Sequence, residues 1–132
     1  MSDDLSIRTE QLETIAKVIF KLRKALDAAG LTDKIIVYTT RFNAFWDNSN
    51  RPANIISFPT DGEGIIIEKT LKTLGSSLKK CLSAINIMMY DVNPVQLNAP
   101  NGFTLDTYKG VFSAFETYID KHKVVMGFEP GG

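Results

Sequence analysis

Apolar residues between positions 67 and 92 recur at alternating steps of four and three residues. The residues in this series are Ile67, Leu71, Leu74, Leu78, Cys81, Ile85, Met88 and Val92. Because an α-helix has about 3.6 residues per turn, this spacing places the whole series on one side of a helix. A continuous helix over these residues is about 39 Å long at ~1.5 Å per residue. That is longer than a chain of this size needs to cover a core, so we expect the stripe to bind a second copy of the chain.

Both ends of this predicted helix have an alternative. Residues 60–63 have the spacing of a capping box for a helix that begins there, whereas Asp61-Gly62 can close a hairpin in which residues 65–67 form a strand. At the other end, residues 86–90 can form a strand, because Gly75-Ser76-Ser77 weakens a single long helix. A shorter helix removes much of the argument for a dimer.

Two further amphipathic helices are predicted. The first covers residues 9–29 and ends at Gly30, a residue suited to the left-handed conformation that terminates a helix. Its apolar face is broader than one neighbour covers, so we expect packing from two directions. The third helix begins at Thr104, where Phe103 and Tyr108 occupy the two positions of a hydrophobic staple.

Segments rich in β-branched and aromatic residues predict strands at residues 34–42, 53–59 and 124–128, with residues 65–68 as an optional fourth strand. Asparagine and proline at residues 48–52 predict a turn between the first two strands. We therefore predict an α+β fold in which a small, mainly antiparallel sheet packs against three amphipathic helices. The predicted order of the elements is α-β-β-α-α-β.

Composition indicates one domain, residues 1–132, with flexible ends at residues 1–8 and 129–132. Of the 132 residues, 44% are hydrophobic and 23% are charged, which is ordinary for a soluble protein with one core. The first residues lack the features of a signal peptide, and no apolar run has the ~18 residues that a membrane span needs. We expect a cytoplasmic protein that does not bind membranes.

Several kinds of chemistry are excluded by counting. Fifteen basic residues balance fifteen acidic ones, so nucleic acid is not an expected partner. With one cysteine and one histidine, Cys81 and His122, no clustered zinc site and no disulfide framework exist. We expect Cys81 in the core and His122 at the end of the third helix, and we expect no metal or cofactor. A non-catalytic protein is favoured over an enzyme, although a site built only from Asp, Glu, Arg or Tyr leaves no spacing signature.

The segment from residue 41 to residue 51 has the composition of a binding surface. It combines the only tryptophan of the chain with two phenylalanines, two arginines and three asparagines. This composition is typical of protein interfaces and of pockets that stack a planar ligand. The predicted binding residues are Arg41, Phe42, Phe45, Trp46, Asn48 and Arg51. The alternative is that the aromatic side chains fold inward and close the edge of the core.

These observations predict a non-catalytic, homo-oligomeric interaction protein of the adaptor, chaperone, immunity or inhibitor type. It binds an unidentified protein through residues 41–51 and the adjoining sheet edge. The alternative function is a small-ligand module that stacks a nucleotide-like or other planar anion on the aromatic rings. Lys69 and Lys72 are candidate contacts for that anion, because no acidic residue follows them before Asp91. The competing interpretation of these lysines is a solvated helix face.

Overall fold

The computed structural model describes residues 5–47, 49–50, 61–89 and 105–127. Within these residues the helices are α1 (Leu5–Ala28), α2 (Glu63–Thr73), the single turn α3 (Leu78–Cys81) and α4 (Leu105–Glu116). The strands are β1 (Val37–Arg41), β2 (Ala84–Met88) and β3 (Val124–Gly127), and a short 3-10 helix, Lys121–Lys123, precedes β3. The predicted strand at residues 53–59 and the predicted flexible end at 129–132 lie outside the described residues.

The three strands form one sheet in the order β1-β2-β3, and both neighbouring pairs are parallel. Val37 pairs with Ala84, and Ile85 pairs with Val124. The prediction of a mainly antiparallel sheet is therefore wrong, and so is the predicted order of elements. Parallel neighbours need a crossover of a dozen or more residues, and here α2 and α3 occupy the first crossover and α4 the second. The sequence prediction assumed that strands close in sequence pair through short turns.

The long helix predicted over residues 67–92 is also wrong. The helix α2 ends at Thr73, because Gly75 adopts the left-handed conformation with φ +77°. The Gly75 N–H donates to Lys72 O at 3.1 Å, and the Ser76 N–H donates to Leu71 O at 2.9 Å, which is the hydrogen-bond pattern of a Schellman motif. Later in the series, Leu78 and Cys81 belong to α3 and Ile85 and Met88 to β2, whereas Val92 lies outside the described residues. The argument for a dimer through one long stripe is lost with the helix.

Residues 65–67 lie within α2, so the helical alternative holds there and no strand forms at residues 65–68. The isoleucines of this segment favour a strand locally, but helix and strand propensities differ by only a few tenths of a kcal/mol per residue. Ile65, Ile67 and Leu71 are all buried at helical spacing. Tertiary packing of that face therefore decides the conformation.

The helix α1 begins at Leu5, four residues before its predicted start, and ends close to the predicted position. Gly30 has φ +72°, and the Leu31 N–H donates to Leu26 O at 2.8 Å, so the predicted left-handed stop is confirmed. The buried side of α1 packs mainly on α2 and more lightly on α3. Among the described residues, no helix is both long and apolar enough to cross a lipid bilayer.

The core lies between the helices and one face of the sheet. Ile85 and Ile87 of β2 point into it and join Ile67 of α2 and Phe115 of α4 in one cluster. The predicted last strand is confirmed as β3, over Val124–Gly127. The predicted start of the third helix at Thr104 lies outside the described residues.

Candidate functional site

The three aromatic side chains that follow β1 point into the core. Phe45 is only 1% exposed, stacks on Tyr118 with ring centroids 4.7 Å apart, and meets Phe115 edge to face at 4.7 Å. Phe42 and Trp46 are also buried and meet each other edge to face at 5.4 Å. The structure therefore shows the inward-facing arrangement, with the rings packed on one another rather than open to a partner.

The start of α2 holds this aromatic loop in place. The Gly62 N–H donates to Trp46 O at 2.8 Å, and the Gly64 N–H donates to Ala44 O at 2.9 Å. A Cβ atom on Gly64 would lie 2.5 Å from a ring carbon of Phe45, and one on Gly62 would overlap the carbonyl oxygen of Ala44. The two glycines are therefore needed for close contact between the helix and the loop.

A buried polar contact also joins β1 to α2. The hydroxyl of Thr40, a fully buried residue, donates to a carboxylate oxygen of Glu63, the first residue of α2. Burial, and to a smaller degree the negative charge of Glu63, raises the pKa of Tyr38 to about 12. The phenol of Tyr38 therefore stays protonated at neutral pH. The hydroxyl of Thr40 and the carboxylate of Glu63 are hydrogen-bonded to each other.

Beyond the aromatic loop, the chain forms a small turn stabilised by its own side chains. The carboxylate of Asp47 accepts the N–H groups of Ser49 at 2.7 Å and of Asn50 at 3.2 Å. The side-chain amide of Asn50 donates to Phe45 O at 3.0 Å. These are the contacts of an Asx turn, so Asp47 and Asn50 have a structural role here.

The polar residues predicted to bind a partner do not form one group in the described structure. Arg41 is exposed at the end of β1, whereas Asn48 and Arg51 lie outside the described residues. Lys72 is exposed on α2, and Lys69 forms an ion pair with Asp61 at 2.6 Å. The hydrogen bond from Lys69 to Asp61 raises the pKa of this lysine. Since Lys69 has an acidic partner and the aromatic rings are packed, the planar-anion function stays a prediction without structural support.

A buried carboxylate, Glu68, was not singled out from the sequence. Its side chain is on the inner side of α2, and the residue is 7% exposed. One oxygen accepts the Leu78 N–H at 3.4 Å, and the other has no hydrogen-bond partner among the described residues. Glu68 follows Gly64 by four residues and precedes Leu71 by three, so helical spacing was the signal that places it on the buried side. Desolvation by burial raises the pKa of Glu68.

Replacing Glu68 by glutamine is expected to increase the free energy of unfolding at pH 7. Because the pKa of Glu68 is raised in the folded chain above its ordinary value of 4.5, the unfolded chain loses this proton first. Its contribution to stability therefore falls as the pH rises from about 4.5 to the folded pKa. Glutamine carries no charge, so the variant does not lose this part of its free energy of unfolding as the pH rises. Urea denaturation at pH 4 and pH 7 measures the free energy of unfolding of the variant and of the wild type. Glu116→Gln, at an exposed position, is the control. If the stability of Glu68→Gln depends on pH as that of the wild type does, the prediction is wrong.

The two residues considered for metal or acid–base chemistry differ in exposure. Cys81 is buried with its sulfur 3.2 Å from the hydroxyl oxygen of Ser76, as expected of a core residue. His122 is exposed in the 3-10 helix, and α4 already ends at Glu116, so the predicted position of His122 at the end of the third helix is wrong. In the part of the chain that the structure describes, no three His, Cys, Asp or Glu side chains are placed to hold a metal ion.

The face of the sheet turned away from the described helices carries exposed side chains, and we call it the outer face. Its residues alternate along the strands with those that enter the core: Val37, Thr39, Arg41, Ala84, Asn86, Met88 and Val125. Val37 and Val125 are 45% and 50% exposed. The topology explains why the described helices lie on the opposite face. Since β-α-β crossovers are almost always right-handed and both run across this sheet in the same direction, both place their helices on the same face.

A groove lies between α4 and β3. This groove has a volume of about 350 Å³ and an apolar lining from Tyr108, Phe112 and Met126. Lys109 and Glu116 lie at its polar rim. None of the predicted binding residues that the structure describes lines it, and it is separate from the outer face because Met126 is on the core side of β3.

No protein-family model, curated protein or solved structure matches the chain. Function must therefore be inferred from the residues themselves. The aromatic loop is folded into the core, and of the predicted polar contacts that the structure describes, Lys69 pairs with Asp61 while Arg41 and Lys72 are exposed. The outer face, with Arg41 at one corner, exposes Val37 and Val125 to solvent.

Proposed function

We propose that this protein is a non-catalytic interaction protein that binds an amphipathic helix of a partner protein on the outer face of its sheet. The single observation that carries the proposal is a parallel sheet whose described helices lie on one face. All-parallel sheets occur almost only with both faces covered, normally by helices of the same chain. Here the strand order does not reverse, so the crossovers leave the second face for a partner.

The shape of the outer face supports a helix as the occupant. Ala84 and Asn86 on its middle strand have short side chains, and the amide of Asn86 donates to the hydroxyl of Thr39 at 3.4 Å, so these two polar groups partly satisfy each other. Val37 and Val125 lie on the two outer strands and flank this middle strip. A helix that rests between them buries both valines, as α2 and α4 bury the isoleucines on the opposite face.

The charge of the outer face specifies the partner further. Arg41 is the cation of this face, and it lies at the carboxyl end of β1. A partner helix that carries a carboxylate at the corresponding end gains a charge-assisted hydrogen bond at the rim of the interface. Arg41 thus remains a predicted contact with the partner. Val37 and Val125 replace Phe45 and Trp46 as the predicted apolar contacts.

Cysteine labelling tests this proposal with little interference, because the only native thiol, Cys81, is buried. In Val125→Cys the new thiol lies on the outer face. We expect maleimide to label it at least several-fold more slowly in an extract of the producing cells than in the purified protein. Lys72→Cys, on the exposed side of α2, is the matched control and should react equally in both. Adding Arg41→Glu should restore fast labelling of Val125→Cys.

The outcome separates the possible occupants. Equal labelling of Val125→Cys in the extract and in the purified protein would refute the proposal. Protection that survives when the extract is filtered to remove macromolecules would show that a small molecule, and not a protein helix, covers the face. Protection of Lys72→Cys to the same degree would show that the extract slows labelling in general.

A further inference from the structure

The helix α1 carries a second row of apolar side chains beside its buried one. The buried row, Leu12, Ala16 and Ile19, packs on α2. The second row consists of Ile7, Ile15, Val18 and Leu22, of which Val18 is 58% exposed and Ile15 is half-buried. The sequence predicts that the broad face of this helix is covered from two directions; the described structure shows packing on α2 and, more lightly, on α3, and leaves the second row largely exposed.

The second row is turned away from the buried row, and α2 is in addition too short to cover the whole of α1. With 24 residues α1 is about 36 Å long, whereas the 11 residues of α2 span about 16 Å at ~1.5 Å per residue. A helix of that length covers less than half of α1. The second row extends from Ile7 to Leu22 and therefore passes beyond what α2 can reach.

Charged residues beside the second row can pair with oppositely charged residues of a second copy of the chain. Glu10 and Lys21 are exposed and eleven residues apart, which is close to three full turns of the helix. They therefore lie on the same flank of the row, with opposite signs and about 16 Å apart along the axis. A two-fold axis perpendicular to α1 near Ile15 brings each of these charges opposite its counterpart in a second copy.

We infer that two copies of the chain associate through antiparallel packing of their α1 helices. With Ile15 near the two-fold axis, Ile7 of one copy faces Leu22 of the partner subunit, and Gln11 faces Val18 of the partner subunit. Glu10 then faces Lys21 of the partner subunit, and the symmetry repeats each pair. A parallel arrangement places like charges together and is disfavoured.

This interface is small, so we expect weak and concentration-dependent association. It uses one helix from each copy, which places it below the ~1,200 Å² of a standard stable interface. It does not depend on the outer face, because none of its residues belongs to the sheet. The dimer can therefore form whether or not the proposed helix partner exists, and its test is independent of the cysteine labelling.

Charge exchange provides the decisive test, measured by sedimentation equilibrium of the full chain from about 5 to 500 µM, a range suited to weak dimers. We expect the wild type to dimerise in this range. Glu10→Lys alone and Lys21→Glu alone should each weaken the dimer about tenfold, because both symmetric pairs become repulsive. An equimolar mixture of the two variants should restore dimerisation, since each introduced charge then faces its opposite.

Two further variants make the result specific to α1. Val18→Asp should leave the chain monomeric over the whole range. Its circular dichroism should stay that of the wild type, because Val18 is exposed within a single copy of the chain. Lys24→Glu makes the same charge change as Lys21→Glu one turn further along α1, at a position turned further from the second row, and should still dimerise. A wild type that stays monomeric, a dimer that survives Val18→Asp, or a mixture that fails to recover would each overturn the inference.

Discussion

Replacing Phe45 by alanine is expected to lower the free energy of unfolding by about 3–5 kcal/mol. The ring is almost fully buried, stacks on Tyr118 and meets the edge of Phe115. Its removal leaves a cavity between the loop, α2 and α4 that these neighbours cannot fill, because Gly64 has no side chain. Urea denaturation followed by circular dichroism measures the change as a lower midpoint at an unchanged slope.

Arg41→Ala is the matched control for Phe45→Ala, because Arg41 lies in the same segment and is exposed. Its effect on the free energy of unfolding should stay within about 0.5 kcal/mol. If Phe45→Ala has an equally small effect, the aromatic loop is not part of the core. Phe45 and Trp46 then become binding anchors again, as the sequence first indicated.

Replacing Gly62 by alanine is expected to have the second largest effect, a loss of about 2–3 kcal/mol, at the upper end for overpacking. The new methyl group overlaps the backbone carbonyls of Asn43 and Ala44. Backbone atoms cannot rotate away as a flexible side chain can, so the loop must move from α2. That movement weakens the hydrogen bond from the Gly62 N–H to Trp46 O. Thermal unfolding of the purified variant measures the loss.

Gly110→Ala is the control for Gly62→Ala, because a Cβ atom at Gly110 meets no atom within 4 Å. Gly110 lies inside α4, where alanine is the better helix former, so this variant should gain up to about 1 kcal/mol. Similar losses in both variants would show that Gly62 is important for a reason other than its close contact with the loop.

Some elements of the fold could be predicted from the sequence because their causes are local. The helix α1 has a long apolar face and ends at Gly30, and its observed end agrees with that pattern. The segment that forms β3 has β-branched residues in succession. These signals act within a few residues, so no knowledge of the tertiary structure is needed to interpret them.

The region from residue 63 to residue 88 shows where local patterns fail. Ile85 fits both the helical series and the alternation of a strand, and Ile87, which is buried, fits only the strand. Gly75 was treated as a weakness in a helix, whereas its positive φ makes it the stop. The parallel pairing of β2 with both neighbours depends on contacts across the whole chain, which periodicity does not report.

The candidate site was predictable only in part for a similar reason. The composition of residues 41–51 identified a segment rich in large side chains, but it did not determine on which side of the backbone each one lies. Arg41 is exposed, whereas Phe42 and Phe45 are buried. The outer face was missed, because its residues come from three strands far apart in sequence and no local motif connects them.

The central position of β2 has a consequence for folding during synthesis. Val37 pairs with Ala84, and Ile85 pairs with Val124, so each pairing closes a loop of roughly 40–50 residues. Contacts so distant in sequence form slowly. While the chain leaves the ribosome, one edge of β2 has no strand beside it until residues 124–127 emerge. The growing chain is therefore most exposed to aggregation before residues 124–127 have emerged.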